Sequence, residues 1–514
     1  MAGSGARKWW ALGAVALAVL AASLDLTVLS VALPTLSGAL KASESDLQWF
    51  SSGYALVLAA LMLPAGLLGD RYGRKKVMLV SLAWFALGSL ACAYSRTPAE
   101  FLAARVLLGF AGAGLIVMAV SALAVFTDEE RPRAVGIWAA ANMVAFPIGP
   151  ILGGWLLSHY WWGWVFLMNI PVALLGFVAV AVLVPESSSA QRPGFDLVGI
   201  VSSSAGLAAL TYGFIEAGQH GWGSPVAVTA MLVGAAVLAA FFAWQRILAR
   251  RPGGQPLLDL SLFRSASFTW GVILFAVLTL ALVGLLFTVP QYFQGVMGTS
   301  AEGSGIRLLP VVGGLIVGLL PASRVAKRIG AKLTVAAGFA VVGIALGLGA
   351  TTSVSSGEGF AAVWMAIAGV GTGLTMATAA SIALGELSEE RAGVGSGVLQ
   401  ALKNTGAPLG AAILGSTLAS VYVRHLHLAG VPPAAAQATR QSVFGGLAVA
   451  RALHSSALLD AVKTAFVRGM DAALLVSIGF AAAGLVLALL FLPSRARPPA
   501  ETQGHQQGGE RVAA

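Results

Sequence analysis

Fourteen long apolar stretches, separated by short polar segments, run along the 514 residues. Their approximate bounds are 9–34, 47–69, 77–95, 100–126, 134–158, 163–184, 196–217, 225–248, 267–292, 304–322, 332–352, 359–385, 392–420 and 469–492. A bilayer core takes about 20 apolar residues per helical span. The pattern therefore predicts an all-α polytopic membrane protein with 14 transmembrane helices. The first stretch holds a charge: Leu24-Asp25-Leu26-Thr27 sits inside the run from Trp9 to Leu36. A carboxylate near mid-span costs roughly 2.5–3.5 kcal/mol on insertion scales, and such charges as a rule mark an ion or substrate pathway.

The polar segments orient the chain. With the N-terminus inside, 21 Lys and Arg fall in cytoplasmic segments and 7 outside, as the positive-inside rule requires. An even span count then puts both termini in the cytoplasm. The chain also repeats. Asp70-Arg71-Tyr72-Gly73 after span two corresponds to Lys327-Arg328-Ile329-Gly330 after span ten, an offset of 257. Arg133 corresponds to Arg391, and Pro150 to Pro408, both at 258. The repeat implies two six-helix halves of like topology, residues 1–190 and 263–493, with two inserted helices and a linker at 191–262. Parallel halves with the substrate site at their interface are a recognised transporter layout. An outside loop at 421–468, polar through Arg424, His425, His427, Arg440, Arg451, His454 and Lys463, reads as a solvated hairpin, with a gate or partner contact as the alternative. The tail at 494–514, with Pro498-Pro499 and a Gln/Gly-rich ending, reads as disordered.

Composition narrows this picture. Hydrophobic residues are 58% and charged ones 10%, against about 25% charged in a soluble domain. The net charge of +10 lies in short loops, so no nucleic-acid partner is expected. Cys92 is alone, which excludes an intrachain disulfide and a zinc cluster. Arg7-Lys8 before Trp9–Leu20 mimics a secretory signal. The continuation to Leu36 argues that it is retained. Eight Lys among 31 basic residues, with abundant Ala, Gly and Val, hint at a GC-rich bacterial genome.

The loop from Gly66 to Lys76 packs Asp70 and four bases between two spans. Gly73 permits a tight turn, Asp70 can meet a helix N-terminus, and Arg74 can pair with Asp128, Glu129 or Glu130. Contacts formed in one global state and broken in another would make a cytoplasmic latch of Asp70, Arg71, Gly73 and Arg74. Plain positive-inside charge explains the bases but not the Gly and Asp.

This loop resembles the most diagnostic motif of the major facilitator superfamily. The stretch from Leu24 to Pro34 resembles the first-span signature of that superfamily's 14-span drug:proton antiporter branch. Gly149-Pro150-Ile151-Leu152-Gly153-Gly154 is similar to the antiporter motif of its exporters, and Trp161 to Pro171 to the opening of span six in multidrug exporters. Phe101-Leu102-Ala103-Ala104-Arg105 and Gly109 match the buried-arginine motif. The sequence departs from the family at Leu108, Ala145 and Lys327.

The resemblance implies a major facilitator fold and a proton-coupled antiporter that exports amphipathic drugs, antiseptics or antibiotics across a bacterial inner membrane. It implies a multi-pass monomer, driven by the proton gradient without a cofactor. Asp25 and Arg105 are the expected coupling pair. A carboxylate whose proton affinity differs between the two open states couples proton entry to substrate exit. Gly149, Pro150, Gly153 and Gly154 would shape close packing and suppress leakage, or simply kink the helix. Asn142, Gln400, Lys403 and Asn404 either line a central cavity, with Met118 and Trp138 as adaptable apolar surface, or hydrogen-bond between helices. Gln400 and Asn404, where some relatives carry acids, favour monovalent, zwitterionic or neutral cargo over dications. A dedicated metabolite exporter, a non-coupled carrier and an importer are the alternatives. No Ser/His/Asp set, phosphate-cradling loop or metal cluster suggests an enzyme.

Overall fold

The computed structural model describes residues 2–122, 130, 134, 148–186, 196–251, 254, 256–258, 260–385, 389–428 and 430–493. Among these, regular structure is helical throughout. A backbone in hydrocarbon must satisfy its polar groups within its own segment, which the helix does. The first half contains α1 (Ala2–Ala39), α2 (Glu44–Tyr72), α3 (Arg74–Tyr94), α4 (Pro98–Ala122), α5 (148–159), the short α6 (Trp164–Leu167) and α7 (Asn169–Leu183). The inserted pair is α8 (Leu197–His220) and α9 (Pro225–Arg250). The second half runs through α10 (Ala266–Gln291), α11 (Ala301–Arg307), α12 (Leu309–Leu319), α13 (Ala322–Ile329), α14 (Ala331–Gly349), α15 (Glu358–Gly385), α16 (Glu389–His425), α17 (Pro433–Gln441), α18 (Val443–Ala452) and α19 (Ser456–Phe491).

Twelve described segments are long and apolar enough to cross a membrane. The other two of the fourteen expected spans are α2, a 29-residue helix outside that set, and the stretch 134–158, whose residues 135–147 lie outside the described ones. Span ten is broken at Leu308, where α11 ends and α12 begins with Pro310 in its first turn; proline lacks the amide that would continue the ladder. The last span is longer than expected. α19 starts at Ser456, capped by the Ser455 hydroxyl, and not near 469.

The 421–468 segment is a hairpin of two short helices with Arg440, Arg451 and His454 exposed. Its inner face is packed: α17 and α18 bury Ala436, Thr439, Val443, Gly446, Leu447 and Ala450. Ser442, which caps α18, meets Ser37 of α1 at 3.3 Å, hydroxyl to hydroxyl. The apolar i, i+4 pattern of Val443 and Leu447 gives this cap a face to bury. The expected tail at 494–514 lies outside the described residues.

Two large apolar cores organise the bundle. One gathers Phe50, Phe85, Phe101 and Phe166 from the first half; the other gathers Phe293, Phe339, Trp364 and Phe466 from the second. α8 and α9 pack on each other, and α8 also packs on α2 and α16. Asp196 clamps the pair at one end, accepting from Gly199 N at 2.8 Å, Trp244 Nε1 at 2.8 Å and Gln245 Nε2 at 2.5 Å. α9 leaves Leu232, Val233, Phe242 and Ile247 exposed, an apolar face suited to lipid.

Candidate functional site

Asp25 lies on α1, whose local chemistry is almost wholly apolar, and Arg105 on α4, eighty residues on. The fold brings them together. Arg105 Nη1 donates to Asp25 Oδ2 at 2.5 Å, and both side chains are buried. Arg105 Nε donates to the Phe50 carbonyl at 3.2 Å, and the guanidinium lies 4.5 Å from the Tyr54 ring centroid, within cation–π range. Two elements of α2 thus hold the arginine. The other Asp25 oxygen accepts from Asn169 Nδ2 at 3.1 Å, and that amide also reaches Ser89 Oγ at 3.4 Å.

The pair is tied to four helices, yet its polar groups are not all satisfied. Arg105 Nη2, Asn169 Oδ1 and Tyr54 Oη are buried without a hydrogen-bond partner. The great majority of buried polar atoms in proteins are paired, so three unpaired ones around one carboxylate set this site apart from ordinary packing. Asn169, Tyr54, Phe50 and Ser89 were not singled out by sequence reasoning. Asn169 had a signal, since it stands within the span-six stretch that carries the resemblance. Tyr54 and Ser89 had none, because one hydroxyl in a span reads as ordinary.

The motif glycines sit beside this site. A side chain at Gly149 would run into Thr27 and the Leu24 carbonyl of α1, and one at Gly153 would meet Val28. At Gly154 a Cβ would stand 2.5 Å from the Ala301 carbonyl, on α11 of the second half. The Pro150 backbone similarly abuts Gly305. The motif therefore packs α5 against α1 next to Asp25 and against the other half at once.

At the opposite end of α1 from Ser37, Gly73 makes the corner between α2 and α3 with φ 108°. L-residues rarely adopt that angle. The Glu186 carboxylate fits against it: a Cβ on Gly73 would lie 2.6 Å from Glu186 Oε1, which accepts from Lys75 N at 3.1 Å. Lys75 Nζ donates to the Ala181 carbonyl at 2.6 Å. Glu186 was the missed partner of this loop. Arg71 and Arg74 both engage neighbours; the Asp70 side chain, Asp128 and Glu129 lie outside the described residues. Glu130 accepts from Lys8 Nζ at 3.1 Å.

The cavity candidates divide. Met118 is fully buried in the first-half core and packs beside Gly69, so here it faces packed side chains and not a cavity. Trp138 and Asn142 lie outside the described residues. Gln400, Lys403 and Asn404 are half-buried on α16. Lys403 Nζ lies 6.0 Å from the Phe275 ring centroid, and Asn404 Nδ2 reaches Met62 Sδ of the first half at 3.0 Å.

A sequence model of the Major Facilitator Superfamily matches residues 15–411. The chain belongs to that superfamily. It is 34% identical over 508 residues to the tetracenomycin C resistance and export protein of Streptomyces glaucescens, covering 96% of this chain and 93% of that one. It is 32% identical to the multidrug efflux pump LfrA of Mycolicibacterium smegmatis, covering 90% of this chain and 92% of that one. Among solved structures, a bacterial homologue of the human lysosomal transporter Spinster, in an inward-facing and unoccupied conformation, superposes with a TM-score of 0.68. The two are 15% identical, over 96% of this chain and 99% of that one, so this likeness speaks for the fold alone. The facilitator fold and the apolar helices make this a multi-pass membrane transporter and not an enzyme.

Proposed function

We propose that this chain exports amphipathic organic compounds, drugs or antibiotics, in exchange for protons across a bacterial inner membrane by alternating access. The observation that carries the reading is the buried Asp25–Arg105–Asn169 cluster. An ionised Asp25 accepts from both partners. A protonated Asp25 can give its hydrogen to Asn169 Oδ1, which has no donor, and so needs the guanidinium less. Proton arrival then loosens the tie between α1 and α4, and the change is felt by α5 through Gly149 and Gly153. The corner at Gly73, closed onto Glu186, acts as the latch at the cytoplasmic end. Gln400, Lys403 and Asn404 face cargo from α16. The carrier works as a monomer with both termini in the cytoplasm.

The test is purified protein in proteoliposomes with a fluorescent amphiphilic cation as probe. Accumulation should require a lumen more acidic than the bath and vanish in Asp25→Asn. Accumulation that ignores the gradient would turn the reading to a non-coupled carrier. A narrower reading, an exporter dedicated to one endogenous secondary metabolite, is favoured by the full-length similarity to the tetracenomycin C export protein. Resistance to a single compound, tetracenomycin C being the first to try, with no effect on unrelated dyes would select it.

A further inference from the structure

A second carboxylate is buried far from Asp25, where the two halves close on each other. Glu44 begins α2, ahead of the 47–69 span, and is 7% exposed. Gln291, the last residue of α10 in the other half, faces it fully buried, with Nε2 3.5 Å from Glu44 Oε1. The same amide nitrogen donates to the Phe287 carbonyl at 3.0 Å, while Gln291 Oε1 is buried with no donor. Around them the seam continues through Gln48 and Ser416, 3.1 Å apart, and Ser37 and Ser442.

An ionised Glu44 fits this surrounding badly. It would be a buried charge with one long contact and no cation among the described residues, a costly arrangement. A protonated Glu44 fits well. Its O–H can donate to the orphan Gln291 Oε1 while Nε2 donates back, the double hydrogen bond of an acid with a primary amide. The other ionisable groups around the seam do not neutralise it. Tyr422 of α16 donates its hydroxyl to the Thr439 carbonyl at 2.8 Å. Asp46, on Glu44's own helix, is held by Ser43. Glu216 and His220 of α8 pair with each other at 2.8 Å, and Tyr292, the residue after α10, couples to Asp471 of α19. Lys41 is exposed.

We propose that Glu44 is a second proton-binding site of this carrier: it takes a proton from the outer side as the seam closes, and the closed seam holds it as a neutral acid against the Gln291 amide. The outer direction rests on the proposed orientation; the proton-linked closure does not. Burial lifts the carboxyl from 4.5 to about 7 in the closed seam. The sign follows. Once the seam opens to water the carboxyl returns to its ordinary value, so closing takes up a proton between that value and about 7. Closure is favoured at low pH and lost as pH rises through this window, by up to about tenfold per pH unit.

Cys92 is the chain's only cysteine and is buried, so one introduced thiol can report the seam. Ser37→Cys is labelled in purified protein with a charged maleimide at about pH 5.5 and about pH 8, either side of the window's upper part, and normalised to Ser355→Cys, which is exposed. The normalised labelling should rise roughly tenfold or more with pH. Glu44→Gln, which keeps the amide pairing without a titrating group, should stay low at both values. Glu44→Ala, open or closed, should be flat. A rise that persists in either variant, or a flat profile with Glu44 present, overturns the proposal. The same measurement in Asp25→Asn separates it from the antiport reading: the seam should keep its pH response even where coupled transport is lost.

Discussion

Gly73 and Gly330 stand 257 residues apart and turn the same corner. Their φ values are 108° and 87°, each amide donates at 3.0 Å to the carbonyl four residues back, and a new helix starts at the next residue. Away from the backbone the halves differ. Asp70 before the first corner becomes Lys327 before the second. The positions 257 residues beyond Asp25 and Arg105 are Leu282 and Ala362, and the second core is built around Trp364, Phe339 and Phe466. Repetition has kept the path of the chain and let the chemistry drift. A buried ion pair is costly to desolvate and gives little net stability. Among the described residues a buried ion pair stands in one half alone, which makes Asp25 and Arg105 the place to test the two halves against each other.

Asp25→Asn tests the asymmetry most severely. The variant keeps volume and the Arg105 contact but not the titrating group, so gradient-driven transport should fall to background at normal membrane abundance. Ordinary coupled efflux by this variant would remove the distinction between the halves. Arg105→Ala comes next. Removing one member of a buried pair costs about 3–5 kcal/mol, to be read as a lowered unfolding midpoint together with lost substrate-induced proton release. Arg105→Lys keeps charge without the fork and should recover both only partly. Val363→Ala, close to the position corresponding to Arg105 and exposed on α15, should leave proton release untouched.

Asn169→Ala should have a smaller effect. A hydrogen bond to a charged group is worth roughly 1.5–3 kcal/mol, and its loss should slow exchange more than it weakens cargo binding. A change confined to binding affinity would make Asn169 a cargo contact and not a partner of Asp25. The corners provide the finest comparison. Gly73→Val and Gly330→Val both force a side chain into the left-handed region, at about 1–2 kcal/mol each, and Gly73→Val adds a clash with Glu186, so its stability loss should be the larger. Only the first displaces Glu186, and only the first should lower turnover while detergent-purified protein still binds substrate. Equal turnover in the two would reduce the first loop to a topology signal.

The hydropathy of Trp9 to Leu36, the odd carboxylate at Asp25 and the glycine at each corner were legible because each is a property of a few neighbouring residues. Transfer free energy adds along a stretch, and a tight turn needs glycine wherever the chain goes next. Other features were not legible. Polar residues of the 421–468 segment suggested solvent, and Arg440, Arg451 and His454 do face it, but every third or fourth position of α17 and α18 found a surface to cover. Met118 looked like cavity lining by type and is core by position. Glu186, just past the expected 163–184 span, carried no signal in the sequence, and only the fold laid it on Gly73.

By itself, then, the sequence determined that this chain lives in a bilayer, that it is built from long helices with a two-fold repeat, and that Asp25 and Arg105 are charges no span should carry without cause. Only the tertiary structure decided that the two meet, that Asn169 completes them, and that Glu44 faces Gln291 across the seam. The reason is physical. Helix formation and insertion depend on local composition, whereas the meeting of side chains eighty or more residues apart depends on the rotation and register of each helix. Those are set by where small residues such as Gly149, Gly153 and Gly154 let two backbones approach.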